Sequence, residues 1–592
     1  MEALKEESFI VVDIGDTITR AVYVEKSQTG LGLRAVAETE TTIEKPELDV
    51  TVGVSKAAEA LGRQVGRKLW DRGGPVEGVR LLCSSSSGGG LYMMVAGVTS
   101  MISGESAKRA ALGAGALLMD VFTKDDRRAS YQMVGSMRMM KPDIFLLAGG
   151  TDGGAIVQVL DMADLLRVAD VKPRFGSSFK LPVIYAGNVD IRDEVSKTLP
   201  ETRYATTAVE NVRPSIEQEN LGPAREAIYD SYMEHVIVHS PGFDKLAKSV
   251  YRDIIPTEAA IGNAVYALAM ERQANALAVD VGGSSTDVYS VYSGVFNRSL
   301  NADIGLTYGI ANIMKQVGVQ ALSRWLPEDL KEREIRNIVA NLMVLQPSRF
   351  SPKEAMVRAA AAREAMKLGI ESHKEIASRL KGVGVQRTVG DIFTQLLEST
   401  YLDMMKTKLI VARGEAFTST TSADAVLMLL DALEPMGVTE MLIDKGNLIT
   451  QIGMLQALAA DSALRMLEEN SLKPMGTCIA PRGTIRRGEQ ALRIRGKRRD
   501  GASIDQVVNQ GDIGVVALGE GERAEVVVEP SGKLDIGMGR GKGFTGTVLG
   551  GMLGIVLDAR GRPLKVSDNR DIAKWLDSIS KSAVTAEAVK HV

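Results

Sequence analysis

The stretch that most constrains the fold is residues 276–294, ALAVDVGGSSTDVYSVYSG. It begins with an apolar run at 276–279 that predicts a buried strand, and the alternating segment 288–292 predicts a second strand. Between the two strands lie acids, glycines and hydroxyl residues: Asp280, Gly282, Gly283, Ser284, Ser285, Thr286 and Asp287. We therefore expect a β-hairpin whose tip exposes backbone N–H groups.

The residue types at this tip are those that bind phosphate. Glycine lets phosphate oxygens approach the backbone N–H groups without a Cβ in the way. The hydroxyls of Ser284, Ser285 and Thr286 add donors, and the carboxylates of Asp280 and Asp287 can hold a hydrated Mg²⁺ or orient a water. An isolated Gly-Gly favours the alternative of a plain turn. The flanking acids and a second, similar motif favour phosphate binding here.

The second motif is residues 8–25, SFIVVDIGDTITRAVYVE. Residues 9–12 predict a strand, 20–24 predict a returning strand, and the tight turn between them carries Asp13, Gly15, Asp16 and Thr17. Both motifs have the same plan of apolar strand, acid, glycine, hydroxyl residues and returning strand. Two such hairpins can face each other across a cleft and hold one polyphosphate from both sides.

The pair resembles the phosphate-1 and phosphate-2 motifs of the actin, Hsp70 and sugar-kinase ATPase superfamily, and DVGGSSTD matches the Asp-x-Gly-Gly-x-x-x-Asp form over its full length. The resemblance implies an α/β protein with the actin-like ATPase fold of duplicated ribonuclease H-like halves, and ATP and Mg²⁺ as ligands. It implies metal binding by Asp13 and Asp280, catalytic roles for both and for Asp287, and phosphate contacts from the glycines and hydroxyls.

The superfamily also keeps an adenosine-binding loop late in the chain. Residues 439–452 predict a strand followed by a glycine loop, and a helix is expected from 453 onward. The position of this segment after both phosphate hairpins implies that Gly446 and Gly453 contact the nucleotide.

Five domains are expected. They are a first actin-like half at 1–140, an inserted α/β unit at 141–200, a helical connection at 201–275, a second half with a helical insert at 276–475 and a β-rich domain at 476–592. Within them, residues 105–122 predict one helix of small residues, and 201–220 predict an irregular linker. The glycine-rich loop at 149–154 is equally compatible with ligand contact and with a structural turn.

Composition limits the partners. The chain of 592 residues is 45% hydrophobic with a net charge of −3, which is ordinary for a globular protein of several domains and gives no global basic field. The basic run at 482–500 has no interleaved aromatics, so no nucleic-acid partner is expected. Two cysteines make no disulfide framework and fit a reducing cytosol. The polar start and the lack of a long apolar run predict a cytoplasmic protein with no membrane contact.

A narrower resemblance covers nearly the whole chain. The segments DIFLLAGGTDGG, LPVIYAGN, AVDVGGSSTDVYS, NLMVLQPSRF and LDARGRPL resemble the glutamate mutase L family. That resemblance implies an ATP-dependent, chaperone-like accessory factor that reactivates a coenzyme B12-dependent mutase of the glutamate (methylaspartate) type, with the mutase subunits as partners. Two alternatives stay open, a small-molecule kinase of the same superfamily and a scaffold that does not hydrolyse ATP. The oligomeric state does not follow from the sequence.

Overall fold

The chain begins with a strand, Ser8–Ile14 (β1), that is buried at all seven positions. A strand buried on both faces lies in the middle of a covered sheet, which explains its continuous apolar run. The computed structural model describes residues 8–588 except 29, 88–90, 175, 177, 237–239, 328–329, 345–349, 378–399, 419 and 567–568.

The elements up to residue 85 build most of a first sheet. After β1 they are β2 (Ile18–Ser27), β3 (Gly30–Glu40), α1 (Val50–Val65), the short strands β4 (Trp70–Asp71) and β5 (Gly74–Pro75), and β6 (Val79–Ser85). Strand β1 pairs antiparallel with β2 and parallel with β6. Helix α1 begins where the Asp49 carboxylate accepts the Thr51 N–H at 3.0 Å and ends at Gly66 in a left-handed conformation.

A second sheet follows and is entirely parallel. Its elements are β7 (Leu91–Gly97), α2 (Glu105–Gly113), β8 (Ala116–Thr123), α3 (Ser130–Met139), β9 (Ile144–Leu147), α4 (Val157–Ala169), β10 (Leu181–Tyr185), α5 (Arg192–Thr198), β11 (Tyr204–Ala208) and α6 (Gly222–His235). The strand order is β11-β10-β9-β7-β8. Counted along this unit alone, the order is 2-1-3-4-5, one of the common doubly wound arrangements.

The structure corrects two local predictions in this unit. The helix expected over 105–122 ends at Gly113, and the chain turns at Gly115 with φ +87° before β8 begins. The linker expected over 201–220 contains β11, which adds an edge strand to the sheet. Strands β7 and β8 precede residue 140, yet β7 pairs with both β8 and β9 of this sheet. The domain boundaries at 140 and 200 stay predictions.

The chain then returns to the first sheet through α7 (Phe243–Leu246), β12 (Ile255–Pro256) and α8 (Thr257–Glu271). Strand β12 pairs parallel with β6, so the first sheet has the order β12-β6-β1-β2-β3. Helix α8 begins directly after β12 of the first sheet and leads into the second hairpin. It therefore lies at the junction of the two halves.

The second half repeats the first. Its elements are β13 (Ala276–Val281), β14 (Ser285–Tyr292), β15 (Val295–Ala302), α9 (Ile310–Val317), α10 (Val319–Ser323), α11 (Glu332–Leu342), α12 (Pro352–Ile376), β16 (Leu409–Arg413), α13 (Glu415–Thr418), α14 (Ser422–Leu433), β17 (Gly437–Asp444), α15 (Ile449–Leu455) and α16 (Ala460–Met466). The order β17-β16-β13-β14-β15 matches the first sheet, again with the first strand antiparallel to the second and parallel to the fourth. This duplication confirms the predicted α/β, actin-like fold.

The C-terminal part is rich in strands, as predicted. Its elements are β18 (Leu472–Ala480), β19 (Gln490–Lys497), β20 (Ser503–Asn509), β21 (Ile513–Val516), β22 (Arg523–Pro530), β23 (Phe544–Leu549), β24 (Ile555–Asp558) and α17 (Asn569–Ala588). Strands β18, β24 and β21 extend the sheet of the second half to eight strands, and the other four form an antiparallel sheet. The C-terminal region is therefore continuous with the second half through hydrogen bonds.

A buried ion network also holds this region in place. The Arg560 guanidinium contacts Asp558 at 2.9 Å and Asp431 of α14 at 2.6 Å, and all three side chains are fully buried. In the basic run, Arg493 pairs with Asp505 of the neighbouring strand at 2.7 Å.

Across the residues that the structure describes, no helix is both long enough and apolar enough to cross a membrane.

Candidate functional site

Asp13 is the penultimate residue of the first strand of the first half. Its carboxylate Oδ1 accepts hydrogen bonds from the hydroxyls of Ser84 at 2.8 Å and Thr257 at 2.6 Å. Ser84 lies on β6, and Thr257 is the first residue of α8. Three elements that are distant in sequence thus orient one nearly buried carboxylate, and none of these bonds brings a cation to it.

The turn after Asp13 places the predicted phosphate contacts at the surface. The Gly15 N–H donates to the Ile18 carbonyl at 3.0 Å, which closes the turn. Asp16 and Thr17 are exposed at its tip. A Cβ on Gly15 would lie 2.9 Å from the Ile18 carbonyl oxygen, so this tight turn requires glycine.

The second hairpin has the same geometry with a more open tip. The Gly282 N–H donates to the Ser285 carbonyl at 2.9 Å, and residues 282–285 are half-exposed. Thr286 differs from the prediction that it contacts phosphate at the tip, because it is fully buried and its hydroxyl donates to the Ile304 carbonyl at 2.6 Å. Its role in the structure is to fix the strand that leaves the tip.

The two tips meet. The Ser284 hydroxyl donates to the Asp16 carboxylate Oδ2 at 3.1 Å, across 268 positions of the chain. The tips of the two hairpins therefore lie next to each other, and we call the region between the two halves at this contact the cleft. This bond brings the half-exposed Gly282 and Gly283 of one half close to the exposed turn of the other half.

Asp280 and Asp287 are direct partners in the antiparallel pairing of β13 and β14. Like charges at opposed positions repel, so such a pair requires compensation. Asp287 is 4% exposed, and its Oδ1 has no hydrogen-bond partner among the described residues. Burial raises the pKa of Asp287 well above its usual range, and the neighbouring carboxylates of Glu258 and Asp280 raise it further. Both effects favour the protonated form of the Asp287 carboxyl.

Glu258 is a further acid of the cleft, which the sequence patterns did not indicate. It lies in the first turn of α8, next to Thr257. Burial raises the pKa of Glu258, the Arg298 guanidinium opposes that shift, and the charges of Asp13 and Asp280 add to it. This response to both aspartates indicates that Asp13 and Asp280 lie around one centre.

The loop after β16 also belongs to this centre and was missed. Asp280 pairs in register with Arg413, and the two side chains form an ion pair. The next residue, Gly414, has φ +103°, and a Cβ there would lie 2.6 Å from the Asp280 Oδ1. The segment LIVARGEAF carries a usable signal, an apolar strand that ends in a charged residue and glycine.

The two glycines expected in an adenosine loop have close packing neighbours, and their contact with nucleotide stays a prediction. Gly453 is inside α15, and a Cβ there would overlap the Ala260 carbonyl of α8, so this glycine permits close packing of two helices. Gly446 lies in the turn after β17, where a Cβ would crowd the backbone of Asn470 and Ser471. The strand-then-helix pattern was correct, but the glycines have packing partners that explain them.

The glycine-rich loop at 149–154 follows β9 at the carboxyl edge of the inserted sheet. Two asparagines support it: the Asn211 amide donates to the Gly150 carbonyl at 3.0 Å and to the Asp152 carboxylate at 2.8 Å, and Asn188 accepts from the Gly153 N–H at 3.3 Å. Gly149, Gly150 and Gly153 all have positive φ. These contacts account for the loop as a structural turn.

The acids of the cleft suit a metal that is only partly coordinated by protein. Among the described residues, no three acidic, histidine or cysteine side chains converge as a set of metal ligands. Mg²⁺ usually keeps several waters and takes one or two carboxylates together with substrate phosphates. Asp13, whose bonds come only from hydroxyls, fits that kind of site.

Comparison with known proteins agrees with this architecture. The family model described as "MutL protein" matches residues 9–471. The chain belongs to the MutL protein family. A curated relative, Protein MutL of Clostridium tetanomorphum, is 27% identical over 495 residues, which cover 79% of this chain and 100% of the relative.

Solved structures resemble this MutL-family chain only weakly. The nucleotide-free structure of acetone carboxylase has a TM-score of 0.34 and 11% identity, covering 85% of this chain and 81% of that one. The nucleotide-free diol dehydratase-reactivating factor has a TM-score of 0.29 and 11% identity, covering 76% of this chain and 99% of that one. Structural similarity this low does not support an inference about function.

Proposed function

We propose that this protein binds ATP with Mg²⁺ between its two hairpins, hydrolyses it in the cytoplasm, and acts as an accessory, reactivating factor for a coenzyme B12-dependent mutase. The observation that carries the nucleotide part is the hydrogen bond between Ser284 and Asp16. It supports a single cleft with a glycine-containing tip on each side, where one triphosphate can contact both halves.

The residues at the tips have the chemistry that this binding needs. The backbone N–H groups around Gly15, Gly282 and Gly283, with the hydroxyls of Thr17, Ser284 and Ser285, are donors for phosphate oxygens. Bound Mg²⁺ would supply neutralising charge for phosphoryl transfer, which depends on positioning and electrostatics more than on covalent chemistry. We propose that Asp13 holds that metal.

The carboxyl groups of Asp287 and Glu258, beneath the tips, are the candidates for proton transfer. The raised pKa of Asp287 favours its protonated form, in which the carboxyl can donate a hydrogen bond. Glu258 has a raised pKa, which brings it towards the range in which a carboxylate takes a proton from water efficiently. We propose that Glu258 orients the attacking water and accepts its proton.

Calorimetric titration of the full chain with a non-hydrolysable ATP analogue and Mg²⁺ tests nucleotide binding, and release of inorganic phosphate from ATP tests hydrolysis. We expect binding at micromolar to millimolar concentration and a loss of about 100-fold in turnover in Asp13→Asn, the scale of removing one positioned electrostatic group. A wild-type chain that binds no nucleotide contradicts the proposal. Phosphate release that requires an added sugar or acid supports the kinase alternative.

The partner rests on the resemblance to the glutamate mutase L family and has its own test. Candidate mutase subunits, loaded with coenzyme B12 and inactivated by turnover, are mixed with the chain in the presence and absence of ATP and Mg²⁺. We expect ATP-dependent recovery of mutase activity with wild type and none with Asp13→Asn. ATP hydrolysis without recovery would leave an ATPase and contradict the mutase role.

A further inference from the structure

The two halves surround their equivalent aspartates differently. In the first half, Asp13 lies in register with Arg20 on the hairpin partner β2 and with Ser84 on the parallel neighbour β6. In the second half, Asp280 lies in register with Asp287 on β14 and with Arg413 on β16. The arginine thus occupies the hairpin partner in one half and the parallel neighbour in the other.

Only one of these arginines contacts its aspartate. Arg20 donates to the Glu38 carboxylate at 2.7 Å and to the Asn447 carbonyl at 3.0 Å, and the carboxylate of Asp13 receives only hydroxyl hydrogen bonds. Arg413 forms its ion pair with Asp280, and both side chains are 12% exposed. Among the described residues, Asp280 therefore has a direct ion pair and Asp13 has none, although the Arg413 charge also acts on Asp13 at longer range.

Further contacts fix the position of Arg413. Its Nη2 donates to the Thr450 hydroxyl at 2.9 Å, and its Nε lies 3.4 Å from the Asp444 carboxylate. Asp444 in turn accepts the backbone N–H of Leu448 at 3.1 Å. The guanidinium is thus tied to β13, β17 and α15 together. A metal that took over Asp280 would have to displace the Arg413 guanidinium from a largely buried ion pair, which is unfavourable.

The same residues lie beside the phosphate tip. A Cβ built on Gly283 would lie 3.5 Å from Oε2 of Glu415, two residues after Arg413, so the loop after β16 packs against the tip of the second hairpin. The Glu415 carboxylate is itself paired with Arg358 at 2.9 Å, whereas the Arg413 guanidinium lies at Asp280, two residues before Gly282. The positive charge of Arg413 therefore lies close enough to act on a triphosphate at this tip.

We propose that Arg413 is a built-in cation of the nucleotide cleft and that Asp280 is its positioning residue, so that Asp13 alone of the two equivalent aspartates serves the metal. The proposal rests on the proposed nucleotide binding and replaces the symmetric expectation that both aspartates hold Mg²⁺. In this arrangement the positive charge beside the second hairpin is that of Arg413, and the positive charge beside the first hairpin is that of bound Mg²⁺.

The matched pair Asp13→Asn and Asp280→Asn tests this assignment. Mn²⁺ replaces Mg²⁺, and its binding in the presence of a non-hydrolysable ATP analogue is followed by electron paramagnetic resonance. We expect Asp13→Asn to weaken Mn²⁺ binding by about 10- to 100-fold and Asp280→Asn to change it by less than about 3-fold, the larger figure being typical of disturbed metal sites. Equal losses in the two variants would show that Asp280 is a metal ligand and overturn the proposal.

The arginine is tested by nucleotide binding without metal, in the presence of a chelator. We expect Arg413→Gln to weaken binding of the analogue by about 10-fold, the size of one charge-assisted contact, and Arg413→Lys to retain part of the affinity. Arg20→Gln is the control, and we expect its affinity to stay within about 2-fold of wild type, since Arg20 contacts Glu38 and the Asn447 carbonyl and makes no ion pair with Asp13 among the described residues.

A further readout separates an electrostatic role from a purely structural one. Arg413→Gln frees the Asp280 carboxylate, so Mn²⁺ affinity should rise while metal-free nucleotide affinity falls. If Arg413→Gln does not fold, Arg413→Lys and the aspartate pair still decide the matter. Unchanged metal-free affinity in the folded arginine variants overturns the proposal. A wild-type chain that binds no nucleotide, with or without metal, overturns the proposed function and this inference together.

Discussion

The two phosphate hairpins share a backbone and differ in charge. Both are antiparallel pairs followed by a parallel fourth strand, and both carry an aspartate at the same place. The Asp13 carboxylate is held by hydroxyls, and the Asp280 carboxylate is held by a guanidinium. The difference shows that duplication preserved the scaffold, whereas the electrostatics of each half diverged. Substitutions at the two hairpins test this contrast through the change that each causes in the free energy of unfolding.

The largest effect is expected from Arg413→Gln. Removing the guanidinium leaves Asp280 buried without its counter-charge, which should lower the free energy of unfolding by about 3–5 kcal/mol. The matched change Arg20→Gln removes an ion pair to Glu38, whose side chain is 47% exposed. Because Arg20 also donates to the Asn447 carbonyl, that change should cost about 1–2 kcal/mol, less than Arg413→Gln. Guanidinium denaturation followed by tryptophan fluorescence compares the two, and equal losses would remove the contrast.

A smaller effect is expected from glycine substitutions at the tips. Gly15→Ala places a Cβ 2.9 Å from the Ile18 carbonyl oxygen, and we expect it to lower stability by about 1–3 kcal/mol. Gly282→Ala meets its first neighbour at 3.6 Å, so we expect a change of less than about 1 kcal/mol. Both should reduce affinity for the ATP analogue. A stable Gly15→Ala variant would contradict the tighter first turn.

Asp287→Asn tests the opposed carboxyl groups of Asp280 and Asp287 through the pH dependence of the free energy of unfolding. A carboxyl whose pKa is raised in the folded state binds more protons there than in the unfolded chain, so it lowers stability as pH rises above its ordinary value of 3.8. The isosteric amide removes this loss, so Asp287→Asn should be more stable than wild type at pH 7. The difference from wild type should vanish near pH 3. A constant difference from pH 3 to pH 8 would contradict it.

The smallest effect is expected from Ser284→Ala, which removes the hydrogen bond between the tips. Because Ser284 is half-exposed and water can replace it, we expect a change of about 0.5–1 kcal/mol. Ser285→Ala, at the neighbouring tip position, is the control. We expect Ser284→Ala to weaken binding of the ATP analogue clearly, although it changes the free energy of unfolding only slightly. A large loss of stability would show that the contact holds the halves together.

Several parts of the site were readable from the chain. The apolar strands, the acids that end them and the glycine turns lie within stretches of about 20 residues, so local periodicity predicts both hairpins. The structure places Gly15, Asp16, Thr17, Gly282, Gly283, Ser284 and Ser285 at or near the facing tips. Their contacts with nucleotide stay a prediction.

Other parts were not readable locally. Thr286 belongs to the same motif, yet its hydroxyl is bonded inside the protein at Ile304, because the strand that leaves the tip alternates its faces. The helix expected at 105–122 failed since an alanine-rich segment suits a helix until Gly115 turns it and β7 offers a pairing partner. Tertiary pairing overrides local propensity there.

The sequence by itself determined the strands, the turns and the residue types at the two tips, because these depend on backbone conformation over a few neighbouring positions. The tertiary structure decided which charges meet. Arg413 reaches Asp280 across 133 positions, and Thr257 reaches Asp13 across 244. Ion pairing and burial act over a few ångströms in space, and the order of residues along the chain does not encode those separations.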